Sequence, residues 1–222
     1  MPSSPQVLKP PVSNSGWIGT DEAGKGDYFG PLVVAAVYVT PDTGAHLRAS
    51  GVRDSKTLAD KRIAELAAEV RRTCPSTVVA IGPERYNDMY AKIRNLNRLL
   101  AWAHARAIEN LLEQVECARV LSDQFGDERV LRQALLQKGR QIQLEQRPRA
   151  EDDVAVAAAS IVARAEFVHR LEQLSRSFGV DLHKGAGPPV LTSGRRFVAQ
   201  HGREALAKVA KLHFKTTQQI GG

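Results

Sequence analysis

The chain has 222 residues, 43% of them hydrophobic and 25% charged, with a formal net charge of +7. That length and composition suit one folded α/β domain and exclude global disorder. The basic balance points to a polyanionic partner, most simply nucleic acid.

The longest apolar stretch, Leu32 to Val39, is far too short to cross a bilayer, so no membrane association is expected. The N-terminus lacks the apolar run and cleavage site of a signal peptide, which makes the cytoplasm the expected location. Cys74 and Cys117 stand apart with no C-x-x-C, so neither a zinc site nor a disulfide framework is indicated.

Taken in chain order, residues 1–16 are rich in Pro, Ser and Asn and read as a flexible tail, leaving 17–222 as the domain. Trp17 to Thr20 reads as a short strand leading into Asp21, followed by a turn punctuated by Gly24, Gly26 and Gly30. Leu32 to Thr40 is β-branched and apolar, the pattern of a strand buried on both faces. Pro41 to Ser55 reads as irregular connection. Thr57 with Asp60 resembles a capping box ahead of Ile63, Leu66, Ala67 and Val70 at helical spacing.

Thr77 to Ile81 reads as a strand, Pro83 as a helix start, and Asn95 to Val115 as a longer helix. A short strand, Val120 and Leu121, ends at Asp123. Val130 to Lys138 reads as a helix and Gln141 to Gln146 as a strand. Ala155 to Phe178 is a long helix of small residues, Gly185 to Gly194 a Gly/Pro loop, and Arg195 to Val209 a final helix. Strands first, then alternating helix and strand, predict an α/β fold with a mixed central sheet flanked by helices.

Three acidic groups fall at three expected strand ends: Asp21 with Glu22, Asp123, and Glu151 with Asp152 and Asp153. Strand ends in α/β folds are where sites gather. Converged carboxylates repel one another, and divalent cations such as Mg²⁺ or Mn²⁺ relieve that conflict through hard oxygen ligands. Two such ions suit hydrolysis of a phosphodiester. Each acid also has a plain structural alternative, as a loop, capping or helix-start residue. Gly19 to Lys25 matches the first part of a phosphate-binding P-loop, but Gly26 stands where the metal-binding hydroxyl belongs. Asp21 and Glu22 would also put negative charge inside a phosphate cradle.

The run Gly19-Thr20-Asp21-Glu22-Ala23-Gly24-Lys25-Gly26-Asp27-Tyr28-Phe29-Gly30-Pro31 resembles the first active-site motif of ribonuclease HIII. Asp54-Ser55-Lys56, the helix Ala155 to Arg164, Lys184-Gly185-Ala186-Gly187 and Ala210 to Lys215 resemble further motifs of that type, in its order. The resemblance spans about residues 17 to 217. It implies an RNase H-like fold and two-metal hydrolysis of the RNA strand of RNA–DNA hybrids, leaving 5′-phosphate and 3′-hydroxyl ends. It implies four metal-holding carboxylates: Asp21, Glu22, Asp123 and, by its place after Arg149-Ala150, Glu151. One residue of helical offset turns a side chain by about 100°, so Asp152 and Asp153 compete for the fourth place.

The resemblance also places substrate contacts at Gly24, Lys25, Gly26, Ser55, Lys56 and Ser160. Glycine lets backbone amides approach 2′-hydroxyls in the minor groove. Arg195, Arg196, Arg203, Lys208, Lys211 and Lys215 suggest an electrostatic track for the hybrid. Type III proteins carry a substrate-binding domain ahead of the catalytic one, whereas here a short tail precedes Trp17, so the likeness is to the catalytic domain. A monomer is expected. Two readings compete: type II-like cleavage at single ribonucleotides embedded in DNA, and a non-catalytic nucleic-acid-binding module. A nuclease of DNA junctions on the same fold is a more distant rival.

Overall fold

Apolar, β-branched Leu32–Val39 forms β2, and it is buried along almost its whole length because helices cover both faces. Around it lie β1 (Trp17–Ala23), β3 (Ser76–Ile81), β4 (Arg119–Asp123) and β5 (Gln143–Arg147). The structure, a computed structural model, describes residues 16–53 and 58–220.

The five strands lie in the order β3-β2-β1-β4-β5. β2 pairs antiparallel with both β1 and β3, while β1–β4 and β4–β5 are parallel. This is the mixed sheet expected from the order of elements.

The helices are α1 (Pro41–Ala49), α2 (Asp60–Thr73), α3 (Pro83–Ile93), α4 (Leu96–Leu112), α5 (Glu128–Ala134), α6 (Val154–Phe178), α7 (Pro188–His201) and α8 (Thr216–Ile220). Alternation along β1 divides the core. Ile18 joins Leu32, Val34 and Ala36 against α4, whereas Trp17 faces the cluster of Val33, Ala35 and Val37 against α6. The α6 helix comes so close that a Cβ on Gly19 would lie 2.1 Å from the Ala155 backbone carbon. A residue without a side chain is therefore required at this crossing.

Several expectations are corrected. β1 continues through Asp21 and Glu22, so these acids sit within the strand and not after it. Antiparallel pairing to β2 continues to Ala23, and that ladder holds the charged residues extended. The 41–49 segment is a helix, started by a Thr40–Thr43 capping box with Pro41 in the first turn. Helix α2 begins at Asp60 behind Ala59, which makes no side-chain cap; Thr57 lies outside the described residues. The Gly/Pro loop ends at Gly187, because Pro188 opens α7. That helix stops at His201, and a short 3₁₀ turn, Glu204–Lys208, follows. Cys74 is buried, Cys117 is half-buried, and both are free thiols.

Candidate active site

The parallel register sets Thr20 beside Ser122, which brings the next residues, Asp21 and Asp123, side by side at the strand ends. With Gly24, Lys25 and Ser160 they line a cleft of about 300 Å³. Asp21 faces α6, where the Ser160 hydroxyl bonds its carboxylate. Glu22 points to the opposite face, toward His104 on α4. One strand therefore delivers two adjacent carboxylates into different surroundings.

Those surroundings set their protonation apart. Burial first, and then the negative charges of Glu22 and Asp123, push the Asp21 carboxyl up to about 8, although Ser160 opposes the shift. Burial acts on Glu22 in the same upward sense. The hydrogen bond and charge of His104, followed by Lys25, outweigh it and hold Glu22 below the usual glutamate range. Glu22 Oε2 lies 3.1 Å from His104 Nε2, and Oε1 lies 3.2 Å from Lys25 Nζ. Asp123 Oδ1 accepts from the Ala150 backbone N–H at 3.0 Å. Asp21 Oδ1 accepts from the Glu22 N–H at 2.8 Å.

This is a hard, oxygen-only donor set whose charges conflict, and such a set fits a divalent cation. Among the described residues, no three Asp, Glu, His or Cys side chains are already gathered into a ligand cluster. The hydrogen bonds just named hold the carboxylates to separate partners.

The remaining acids behave differently. Asp153 caps α6 through Ala155 N–H and accepts from the Trp17 indole at 2.9 Å. Asp152 pairs with Arg147. Glu151 lies in a 3₁₀ turn, Ala150–Asp152, and is not part of the cleft wall. Ser55 and Lys56 lie outside the described residues.

The turn beside the cleft shows two kinds of glycine. Gly24 has φ +85°, and a Cβ there would lie 2.2 Å from the Pro31 carbonyl oxygen, so its role is conformational. A Cβ on Gly26 would meet nothing within 4 Å. Packing does not require glycine at that position; it keeps the cleft rim bare.

Behind the turn, Lys211 is wholly buried. Its ammonium donates to the carbonyls of Asp27 and Gly30, each at 2.8 Å. Lys211 therefore leaves the expected surface track and instead ties down the loop after Gly26. Gly185 N–H donates to Asp27 Oδ1, and its carbonyl accepts from Tyr28 N–H. The two C-terminal motifs thus build the back of the turn. Arg195, Arg196, Arg203, Lys208 and Lys215 are exposed.

Two residues on or behind the cleft had no role in the sequence reading. Arg164 lines the cleft, and its Nε is buried without a hydrogen-bond partner. His104 lies among alanines and leucines on the buried stripe of α4, where a polar residue is itself a signal.

A sequence model of the ribonuclease HII family matches residues 18–217. The chain is 47% identical over 205 residues to the ribonuclease HIII of Protochlamydia amoebophila (strain UWE25), across 92% of this chain and 68% of that protein. It is 48% identical over 206 residues to the ribonuclease HIII of Chlamydia pneumoniae, across 91% and 69%. Among solved structures it is similar to Bst-RNase HIII in complex with Mn²⁺, with TM-score 0.87 and 36% identity over 95% of this chain and 70% of that one.

Proposed function

The chain belongs to the ribonuclease HII family, in its ribonuclease HIII type, and from that membership we propose how the cleft performs its chemistry. The protein is a metal-dependent endoribonuclease of RNA–DNA hybrids. Among the described residues no helix is long and apolar enough to cross a membrane.

Asp21, Glu22 and Asp123 hold the cations, two in the substrate complex, with Mg²⁺ or Mn²⁺ equally suited to the oxygen donors. When bound, the cations supply charge neutralisation at the phosphodiester and activation of water. The chain's own residues do the rest. His104 and Lys25 keep Glu22 ionised, and Ser160 orients Asp21. The bare rim at Gly26 admits the minor groove, where turn amides meet a 2′-hydroxyl. Arg164 and Lys25 take backbone phosphates. Water adds to phosphorus as the bond to the 3′-oxygen breaks, leaving 5′-phosphate and 3′-hydroxyl ends. The enzyme acts as a monomer.

The observation carrying this reading is the β1–β4 register, which sets two carboxylates side by side beside a glycine turn. Glu151 is proposed as the fourth acid on the family resemblance, by its place after Arg149-Ala150.

Cleavage and hybrid binding, measured on purified variants, test the assignment. Asp21→Asn and Asp123→Asn should lose cleavage by about 10³-fold or more while still binding hybrid; a charge-stabilising group of this kind is worth factors of that order. Normal turnover by either defeats it. Full activity of Glu151→Gln would reduce the proposed centre to three carboxylates.

A further inference from the structure

Thr20, His104 and Glu22 form a hydrogen-bonded chain between β1 and α4. His104 and Thr20 have no exposed surface. His104 Nδ1 lies 2.9 Å from Thr20 Oγ1, and Nε2 lies 3.1 Å from Glu22 Oε2. The ring stacks on Phe125 with centroids 4.6 Å apart and planes 24° apart. Phe125 lies two residues beyond Asp123, so the loop leaving β4 helps fix the imidazole.

A carboxylate accepts and does not donate, so the hydrogen at Nε2 belongs to His104. Nδ1 shares its hydrogen bond with the Thr20 hydroxyl, a group able to donate or accept. Every polar atom of the ring has a partner, and the ring is held in plane by stacking.

Packing alone does not call for this residue. Its neighbours on the buried side of α4 are apolar, among them Leu100, Ala103, Ala107 and Leu111; the helix's other buried polar residue, Glu109, is taken up by the Leu136 and Gly139 backbone N–H groups. An aliphatic side chain would fill the space without the cost of burying two nitrogens. Glutamate, by contrast, has three freely turning side-chain torsions, and its value as a ligand depends on where its oxygens point.

We infer that His104 is a positioning residue: the Thr20–His104 pair fixes the Glu22 carboxylate and thereby sets the cleft's affinity for its divalent cation. The inference rests on the metal-dependent reading above. Partners of this kind, one bond removed from the ion, typically change metal affinity by about 10- to 100-fold when lost.

The test is calorimetric titration of the full chain, stripped with EDTA, with Mn²⁺ alone, alongside kcat and KM on a hybrid. His104→Gln carries an amide N–H where Nε2 stood and should bind Mn²⁺ nearly as the unmutated protein does. His104→Asn is too short to reach Glu22 and should bind about 10- to 100-fold more weakly. Its kcat should fall while KM for the hybrid stays unchanged. Equal Mn²⁺ affinity in the Gln and Asn variants overturns the inference. Should the Asn variant not fold, Thr20→Val decides: it keeps the volume but removes the hydroxyl. Weaker Mn²⁺ binding supports the inference, and unchanged binding overturns it. Glu22→Gln separates the two levels. If it binds Mn²⁺ normally, the metal reading of the cleft fails and the inference falls with it. If it binds weakly while His104→Asn does not, the inference alone fails.

Discussion

Asp21 and Glu22 share a peptide bond, yet alternation along β1 sends them to opposite faces of the sheet. Asp21 meets α6 and two like charges, whereas Glu22 meets His104 and Lys25. The linkage has a definite sign. With its carboxyl raised from 3.8 to about 8, folded Asp21 binds more protons than the unfolded chain between those values. Its contribution to stability therefore falls as pH rises through that window. In EDTA, Asp21→Asn should melt progressively higher than the unmutated protein as pH goes from 4 to 8. A melting difference that does not change with pH would contradict this.

The glycines offer a second contrast at the same scale. Gly24→Ala should destabilise the fold by about 1–3 kcal/mol because of its left-handed backbone. Gly26→Ala should melt normally and lose hybrid affinity, since its Cβ enters open space at the rim. Melting curves and a binding isotherm distinguish the two. Asp21, Glu22 and Asp123, read from sequence at expected strand ends, and the turn read at Gly24 and Gly26 line one cleft; Glu151 does not. His104 was not picked out from sequence, because a lone polar residue on a helix stripe names no partner. Its partners lie 82 and 84 residues away in the chain, beyond the reach of local pattern.

At the scale of elements, the cleft is built by a helix pressed on a strand and by a loop held from behind. Helix α6 crosses β1 at Gly19 and delivers Ser160 to Asp21. The 27–30 loop is held by Gly185 and by Lys211. Lys211→Met should leave the carbonyls of Asp27 and Gly30 without their cation. Stranding a buried polar group costs on the order of 1–3 kcal/mol, so the urea midpoint should fall. An unchanged midpoint would mean that the loop holds itself. Sequence alone could not place Lys211, because a lysine in a basic run is most simply a solvated one. Element boundaries were missed for a similar reason. The charges of Asp21 and Glu22 masked the end of β1, and Gly185, Gly187, Pro188 and Pro189 together masked the start of α7.

Over the whole molecule, the order of elements was enough to predict the mixed sheet and its flanking helices. It did not predict that β1 and β4 would be neighbours, which is the pairing that joins Asp21 to Asp123. That adjacency is a crossover, with β2, β3 and four helices between the two strands in sequence. The basic residues Arg195, Arg196, Arg203, Lys208 and Lys215 of the C-terminal segment are exposed. Lys211, withdrawn into the core, serves the site structurally.

The most direct test of the central claim is a cleavage assay with Mg²⁺, with Mn²⁺ and with EDTA. The substrates are an RNA–DNA hybrid, a DNA duplex carrying one ribonucleotide, and an all-DNA duplex. The account predicts cutting of the hybrid with a divalent cation, none in EDTA, and an intact all-DNA duplex. Cutting of the single-ribonucleotide duplex as well would extend the activity toward type II. Hybrid left whole under both metals, or cut equally well in EDTA, would contradict the account.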